Sequence, residues 1–125
     1  MVDIEELITE VIDAGYNVHK NLAPGYLENV YHAALMYELE LRGIDADSEV
    51  PLNVFYRGKN VGIFKADILI ENRLILELKA VSQLTKAHET QLVNYLTTTG
   101  IDDGLLFNFG SEKFQSKRKY RLLTK

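Results

Sequence analysis

Apolar side chains recur at helical spacing from the start of the chain. Ile4, Leu7, Ile8, Val11, Ile12 and Val18 make one stripe, with Asp3 and Glu6 placed as a capping pair before it. The stripe predicts a first helix over about 3–22. Asn21-Leu22-Ala23-Pro24-Gly25 breaks it, because proline disfavours helical geometry in the residue before it and glycine opens the next segment. A second stripe, Leu27, Val30, Tyr31, Ala34, Leu35 and Leu41, stops at Gly43 and predicts a helix over about 26–42. After Glu49 the period falls to two. VPLNVFY (50–56), VGIFKADILI (61–70) and LILELKA (74–80) read as strands, joined by turns at Arg57-Gly58-Lys59-Asn60 and Glu71-Asn72-Arg73. Helical spacing returns over 84–99 and ends at Gly100; GLLFNF (104–109) is a short apolar strand, and KYRLL (119–123) a closing one.

The order is ααβββαβ(β): a three-strand antiparallel meander, then a helical crossover into a parallel fourth strand, flanked by helices. This is an α/β fold. A length of 125 residues predicts a single domain over 1–125, and no repeat or linker divides it.

Composition narrows the chemistry. With no cysteine, a disulfide framework, a thiolate zinc site and a cysteine nucleophile are excluded, and His19, His32 and His88 are dispersed. No apolar run approaches the roughly 20 residues a bilayer span requires, and the N-terminus is acidic where a signal peptide would be basic. The expectation is a soluble, cytoplasmic protein with no membrane partner. Net charge is −4, yet from Lys113 onward there are six Lys/Arg and no Asp/Glu. A polyanion would therefore have to be met locally, through Lys117, Arg118, Lys119 and Arg121. The alternative for this tail is a solvated basic end that aids solubility.

The segments Lys65–Ile70 and Leu74–Lys79 hold the most specific pattern. A turn centred on Asn72 sets Asp67 opposite Glu77 and Lys65 opposite Lys79, four charges on one face. Phe64, Ala66, Ile68, Ile70, Leu74, Leu76, Leu78 and Ala80 then face the core. Opposed carboxylates lie only ~5 Å apart at Cβ and repel unless compensated. A magnesium or manganese ion would compensate them, since these cations prefer carboxylate, carbonyl and water oxygens; the Leu78 carbonyl is a further donor. Lys79 can orient a water or stabilise negative charge on phosphorus. The alternative is a surface ladder of ion pairs, each worth little. Leu69 and Ile75 share the charged face and point to a partly covered cleft.

Gly25-Tyr26-Leu27-Glu28-Asn29-Val30-Tyr31 is a G-x-x-E-x-x-Y string, followed in order by the VPLNVFYRG strand, the KADILI/LILELKA hairpin and HETQLVNYL. Along essentially its whole length the chain resembles the GxxExxY protein family, a branch of the PD-(D/E)XK nuclease superfamily. The resemblance implies a restriction-endonuclease-like αβββαβ core. It implies that Glu28 assists metal binding, that Asp67, Glu77 and Lys79 form the strand-pair motif, and that Gln91 and Tyr95 are the Q-x-x-x-Y motif found near the active site of RecB-like members. Ala66 stands where the superfamily's proline does.

Read without the family, Glu28 is a favourable charge at a helix start, and Gln91 and Tyr95 are one turn apart on a helix surface. Tyr31 lies on the apolar stripe with its hydroxyl near the site; His19 interacts with the end of its helix, His88 faces solvent or lines the same cleft as Gln91, and Lys65 touches phosphate or offsets the carboxylates. The expected function is a Mg2+- or Mn2+-dependent nuclease, acting on DNA rather than RNA, with a homodimer as a way to widen its footprint. Two rivals use the same residues: a nucleic-acid-binding accessory module that keeps the fold without cleavage, and a protein-interaction domain served by the acidic body.

Overall fold

The computed structural model describes residues 2–122. Helix α1 spans Ile4–Leu22, and Asp3 caps it by accepting from the Glu5 and Glu6 N–H groups. Asp3 acts alone there. Helix α2 spans Glu28–Leu41, starting two residues later than the apolar stripe predicts because Leu27 is extended. Five strands follow in one sheet: β1 (Ala46–Tyr56), β2 (Lys59–Ile70), β3 (Leu74–Lys79), β4 (Asp103–Asn108) and β5 (Gln115–Tyr120), with helix α3 (Lys86–Thr99) between β3 and β4. Thr85 and His88 form a capping box at the start of α3, and Gly100 closes it in the left-handed conformation that glycine tolerates.

The spatial order is β1-β2-β3-β4-β5, antiparallel except for the parallel β3–β4 pair. The fold is thus mixed α/β, with the meander, helical crossover and parallel strand that periodicity predicts. The strands differ in extent from the predicted ones: β2 takes in Lys59 and Asn60 of the expected turn, β3 and β4 differ by a residue at their ends, and two strands differ more. β1 begins at Ala46 instead of Val50, and the last strand is Gln115–Tyr120 instead of KYRLL, of which Leu123 lies outside the described residues. Among the described residues no helix is long and apolar enough to cross a membrane.

The sheet buries both faces. On one side α1 and α2 pack Leu7, Val11, Tyr31 and Leu35 against Ile68, Ile70, Leu76, Leu78 and Phe107. On the other, Leu92 and Leu96 of α3 pack against Phe64, Ala66, Leu69, Ile75 and Leu106. Simple alternation would place Phe64, Ala66, Ile68 and Ile70 on one face, and here the expectation fails. The first two join the α3 layer and the last two the α1–α2 layer. The reversal falls at Asp67. Pairing of β1 with β2 skips Glu49 and Asp67, and Glu49 has a φ of 53° that breaks the strand at the same level. Beyond this break the outer hairpin leans on α3, where Phe64 stacks on Tyr95 and the Phe55 N–H donates to Thr98 Oγ1.

The exit of β3 is held by a buried amide. Asn108 donates to the Val81 carbonyl and Gln115 Oε1, and accepts from the Val81 and Gly110 N–H groups. Next to it the Phe109 N–H donates to the Lys79 carbonyl, fixing the backbone that carries Lys79. His19 Nε2 lies 2.9 Å from the Ser111 carbonyl in this same corner, so it ties α1 to the β4–β5 loop and does not serve its own helix end.

Candidate active site

β2 and β3 pair only from Ile68↔Leu76 to Ile70↔Leu74. This register continues to Asp67 opposite Glu77, as the Asn72-centred turn requires. At that point side chains replace the ladder. The Asp67 N–H donates to Glu77 Oε2 at 3.0 Å, and the Leu78 N–H donates to Asp67 Oδ2 at 2.8 Å. Each carboxylate caps the strand opposite it, so the strands part as a fork with two acids at its base. β3 stays straight because its other edge is bonded to β4, Glu77 opposite Leu106 and Lys79 opposite Asn108. Lys65 takes no part. It pairs with Pro51 across β1, and it lies beyond the end of the β2–β3 ladder, so it does not face Lys79.

Like charges at the fork have an electrostatic consequence. Burial pushes the Glu77 carboxyl up to about 8; Asp67 and Glu28 add to the rise, while the Asp67 N–H and Lys79 oppose it. Glu28 is also raised, by burial first and Asp67 second, with Lys79 and His32 opposing. Glu28, Asp67, Glu77 and Lys79 therefore share one electrostatic neighbourhood.

The G-x-x-E-x-x-Y string shapes the approach to it. The Tyr31 hydroxyl donates to the Ala23 carbonyl at 2.6 Å and accepts from the Tyr26 N–H at 3.2 Å, while its ring stacks on Phe109. It thereby clamps the loop whose Gly25, at a φ of 125°, turns the chain into α2 and Glu28. Tyr31→Phe removes both bonds and keeps the stacking. We expect a loss of about 1–2 kcal/mol in urea unfolding, with no change in the far-ultraviolet spectrum.

Other sequence candidates sit on α3 and on β5 or just after it. Gln91 and Tyr95 share a face of α3, 3.5 Å apart through Gln91 Nε2 and the Tyr95 hydroxyl, on a surface groove of about 580 Å³ with Lys86 and Asn94. Among the described residues no hydrogen bond joins them to the fork. His88 serves the capping box of α3. The basic tail is largely engaged in ion pairs: Arg118 with Glu5 and Asp103, Lys119 with Glu89, and Arg121 with Asp102. Lys117 alone of that group is exposed and forms no ion pair among the described residues.

One group beside the fork went unassigned in the sequence. His32 is one turn after Glu28, and its Nε2 lies 2.7 Å from Ser48 Oγ on β1, next to the break at Glu49. The i,i+4 spacing of Glu28 and His32 was visible; its link to β1 was not.

A five-stranded mixed sheet flanked by helices, forked at an aspartate and a glutamate with a lysine two residues beyond, defines the restriction-endonuclease-like class. The chain belongs to the PD-(D/E)XK nuclease superfamily, whose family model matches residues 5–120. Members are generally nucleases and typically use divalent metals. Its fold is similar to a solved crystal structure designated SSO0001, with a TM-score of 0.56 and 19% identity over 77% of this chain. The match covers 50% of that other chain. Among curated proteins none matches.

The donor set at the fork fits a hard divalent cation. One oxygen of Asp67 and one of Glu77 take backbone N–H groups, and among the described residues the other oxygen of each accepts no hydrogen bond. Two carboxylates completed by water suit magnesium or manganese. Among the described residues no three His, Asp or Glu groups stand close enough together to hold a metal ion, so Glu28 is not drawn into direct contact with the other two.

Proposed function

We propose that this protein is a Mg2+- or Mn2+-dependent nuclease of the GxxExxY family that hydrolyses phosphodiester bonds, in DNA rather than RNA. The observation that carries this reading is the crossed pair of hydrogen bonds that holds Asp67 and Glu77 together at the end of a strand ladder, each with an oxygen to spare. A purely structural hairpin has no reason to oppose two acids there and raise the pKa of one of them.

Asp67 and Glu77 would hold the cation, and Glu28 would act through a water at longer range. When bound, the cation supplies Lewis acidity, making a water a better nucleophile and polarising the phosphate. Lys79, half-buried on the strand it shares with Glu77, is the fixed positive charge of the site. It orients the attacking water and offsets negative charge that develops on the phosphoryl oxygens. Gln91 and Tyr95 would meet the nucleic acid along their groove, with Lys117 as the tail residue best able to reach a phosphate.

A non-catalytic accessory module is the second reading. It is favoured by the separation of Glu28 from the other carboxylates. The test is an assay of single- and double-stranded DNA and RNA with manganese, run beside Asp67→Asn, whose amide oxygen still accepts from the Leu78 N–H. Cleavage by the wild type and none by the variant supports the nuclease. Cleavage by both, or by neither, contradicts it.

A further inference from the structure

The β1–β2 hairpin outside the fork differs in charge from the rest of the molecule. From 50 to 66 there are three Lys/Arg and no Asp/Glu, in a chain of net charge −4. The three are Arg57 and Lys59 at the tip and Lys65 along the arm. All three are exposed and none forms an ion pair among the described residues, whereas most of the tail cations do. The same arm carries exposed apolar groups: Phe55 at 51%, Tyr56 at 65%, Val61 at 56% and Ile63 at 68%. Its inner side, with Phe64, Val50, Leu52 and Val54, is packed on α3, so the arm has a supported back and an uncovered front.

We propose that this arm docks on duplex DNA, with Val61, Ile63 and Lys65 along its uncovered face and Phe55, Tyr56, Arg57 and Lys59 around its tip, the three cations on phosphates and the apolar groups against the groove. Three observations select that occupant. A two-stranded ribbon is one of the shapes the major groove admits. The arm grows from the same strand as Asp67, and at about 3.3 Å per residue the stretch from Asp67 out to Lys59 covers roughly 25 Å, most of the ~34 Å turn of a duplex. A second copy docked face to face would instead bring like cations together with no acid to offset them. The fork would then lie at the inner end of the arm, which explains how an acidic protein can hold a polyanion: the contact is local and its charge is segregated.

This inference rests on the nuclease reading for its choice of ligand, but its test does not depend on cleavage. Binding of a short fluorescent DNA duplex, and of one of its strands alone, is measured by anisotropy in EDTA over a series of salt concentrations, for the wild type and for Arg57→Gln/Lys59→Gln/Lys65→Gln. Lys20→Gln/Lys113→Gln controls for charge removed elsewhere. The arm variant should bind on the order of tenfold more weakly at low salt, and its plot of log affinity against log salt should be shallower by about 2–3, one phosphate contact per residue. The control should move far less. Phe55→Ser/Ile63→Ser, which keeps every charge, should weaken binding without changing the salt slope. Wild-type slope and affinity in the arm variant would overturn the proposal, as would equal losses in the control or a loss confined to single strands. A wild type that shows the arm-dependent binding yet no manganese-dependent cleavage would leave the arm standing and remove the nuclease.

Discussion

Lys79→Ala is expected to slow manganese-dependent cleavage on the order of 10²–10³-fold while leaving manganese affinity within about twofold. Both halves follow from position. Lys79 is two residues beyond Glu77 on β3, where its backbone is pinned to Phe109 and its strand is paired with β4, so truncating the side chain leaves the fork intact. Its charge opposes the rise in the Glu77 and Glu28 carboxyls, which places it in their field without making it a ligand. Binding by calorimetry and single-turnover cleavage separate the two effects. A rate unchanged from wild type would exclude Lys79 from the chemistry; a rate loss matched by lost metal binding would make it part of the metal site.

The second large effect is on stability against pH. The Glu77 carboxyl titrates near 8 in the folded protein, against an ordinary value of 4.5. Between those values the folded chain holds a proton that the unfolded chain releases. Stability from this group is therefore complete below about pH 4.5 and is lost as pH rises through 8, at up to about 1.4 kcal/mol per pH unit. Glu5 and Glu89 shift the other way, held low by Arg118 and Lys119, but act only below the ordinary carboxylate range. Urea unfolding of the wild type in EDTA should show falling stability from pH 5 to 8. Glu77→Gln keeps an acceptor for the Asp67 N–H and removes the titration, so its profile should be flatter; comparison of the two cancels the histidines. Manganese should restore stability at the alkaline end, because a cation takes the place of the proton. Parallel profiles for wild type and variant would mean that Glu77 does not carry the effect.

Much of this is legible in the sequence. Apolar spacing found the three helices, and the turn at Asn72 was enough to set Asp67 against Glu77, because alternation leaves a short hairpin little choice of register. The site was less legible where it depends on breaks in that alternation. Nothing in the local pattern marks the reversal at Asp67, which comes from Glu49 on the neighbouring strand adopting a left-handed conformation. That is why alternation groups Lys65 with the site charges, and sets Phe64 and Ala66 on the same face as Ile68 and Ile70, where the structure divides them between two layers.

The polar ends of the sheet were missed for a related reason. The Ala46–Glu49 start of β1 and the Gln115–Tyr120 strand have few apolar residues to show a period of two. The tail cations look available in sequence because their partners come from distant elements: Glu5 from α1, Glu89 from α3 and Asp102 from the loop before β4. The basic arm is not evident in sequence because Arg57 and Lys59 read as ordinary turn residues and Lys65 as one of the charges of the next hairpin.

Titration of manganese into the protein by calorimetry, for the wild type and for Glu77→Gln, reaches the fork without any knowledge of the substrate. The wild type should give a saturable heat that strengthens from pH 6 to 8 and is lost in the variant. No binding by the wild type at millimolar manganese, or equal binding by both proteins, would contradict it.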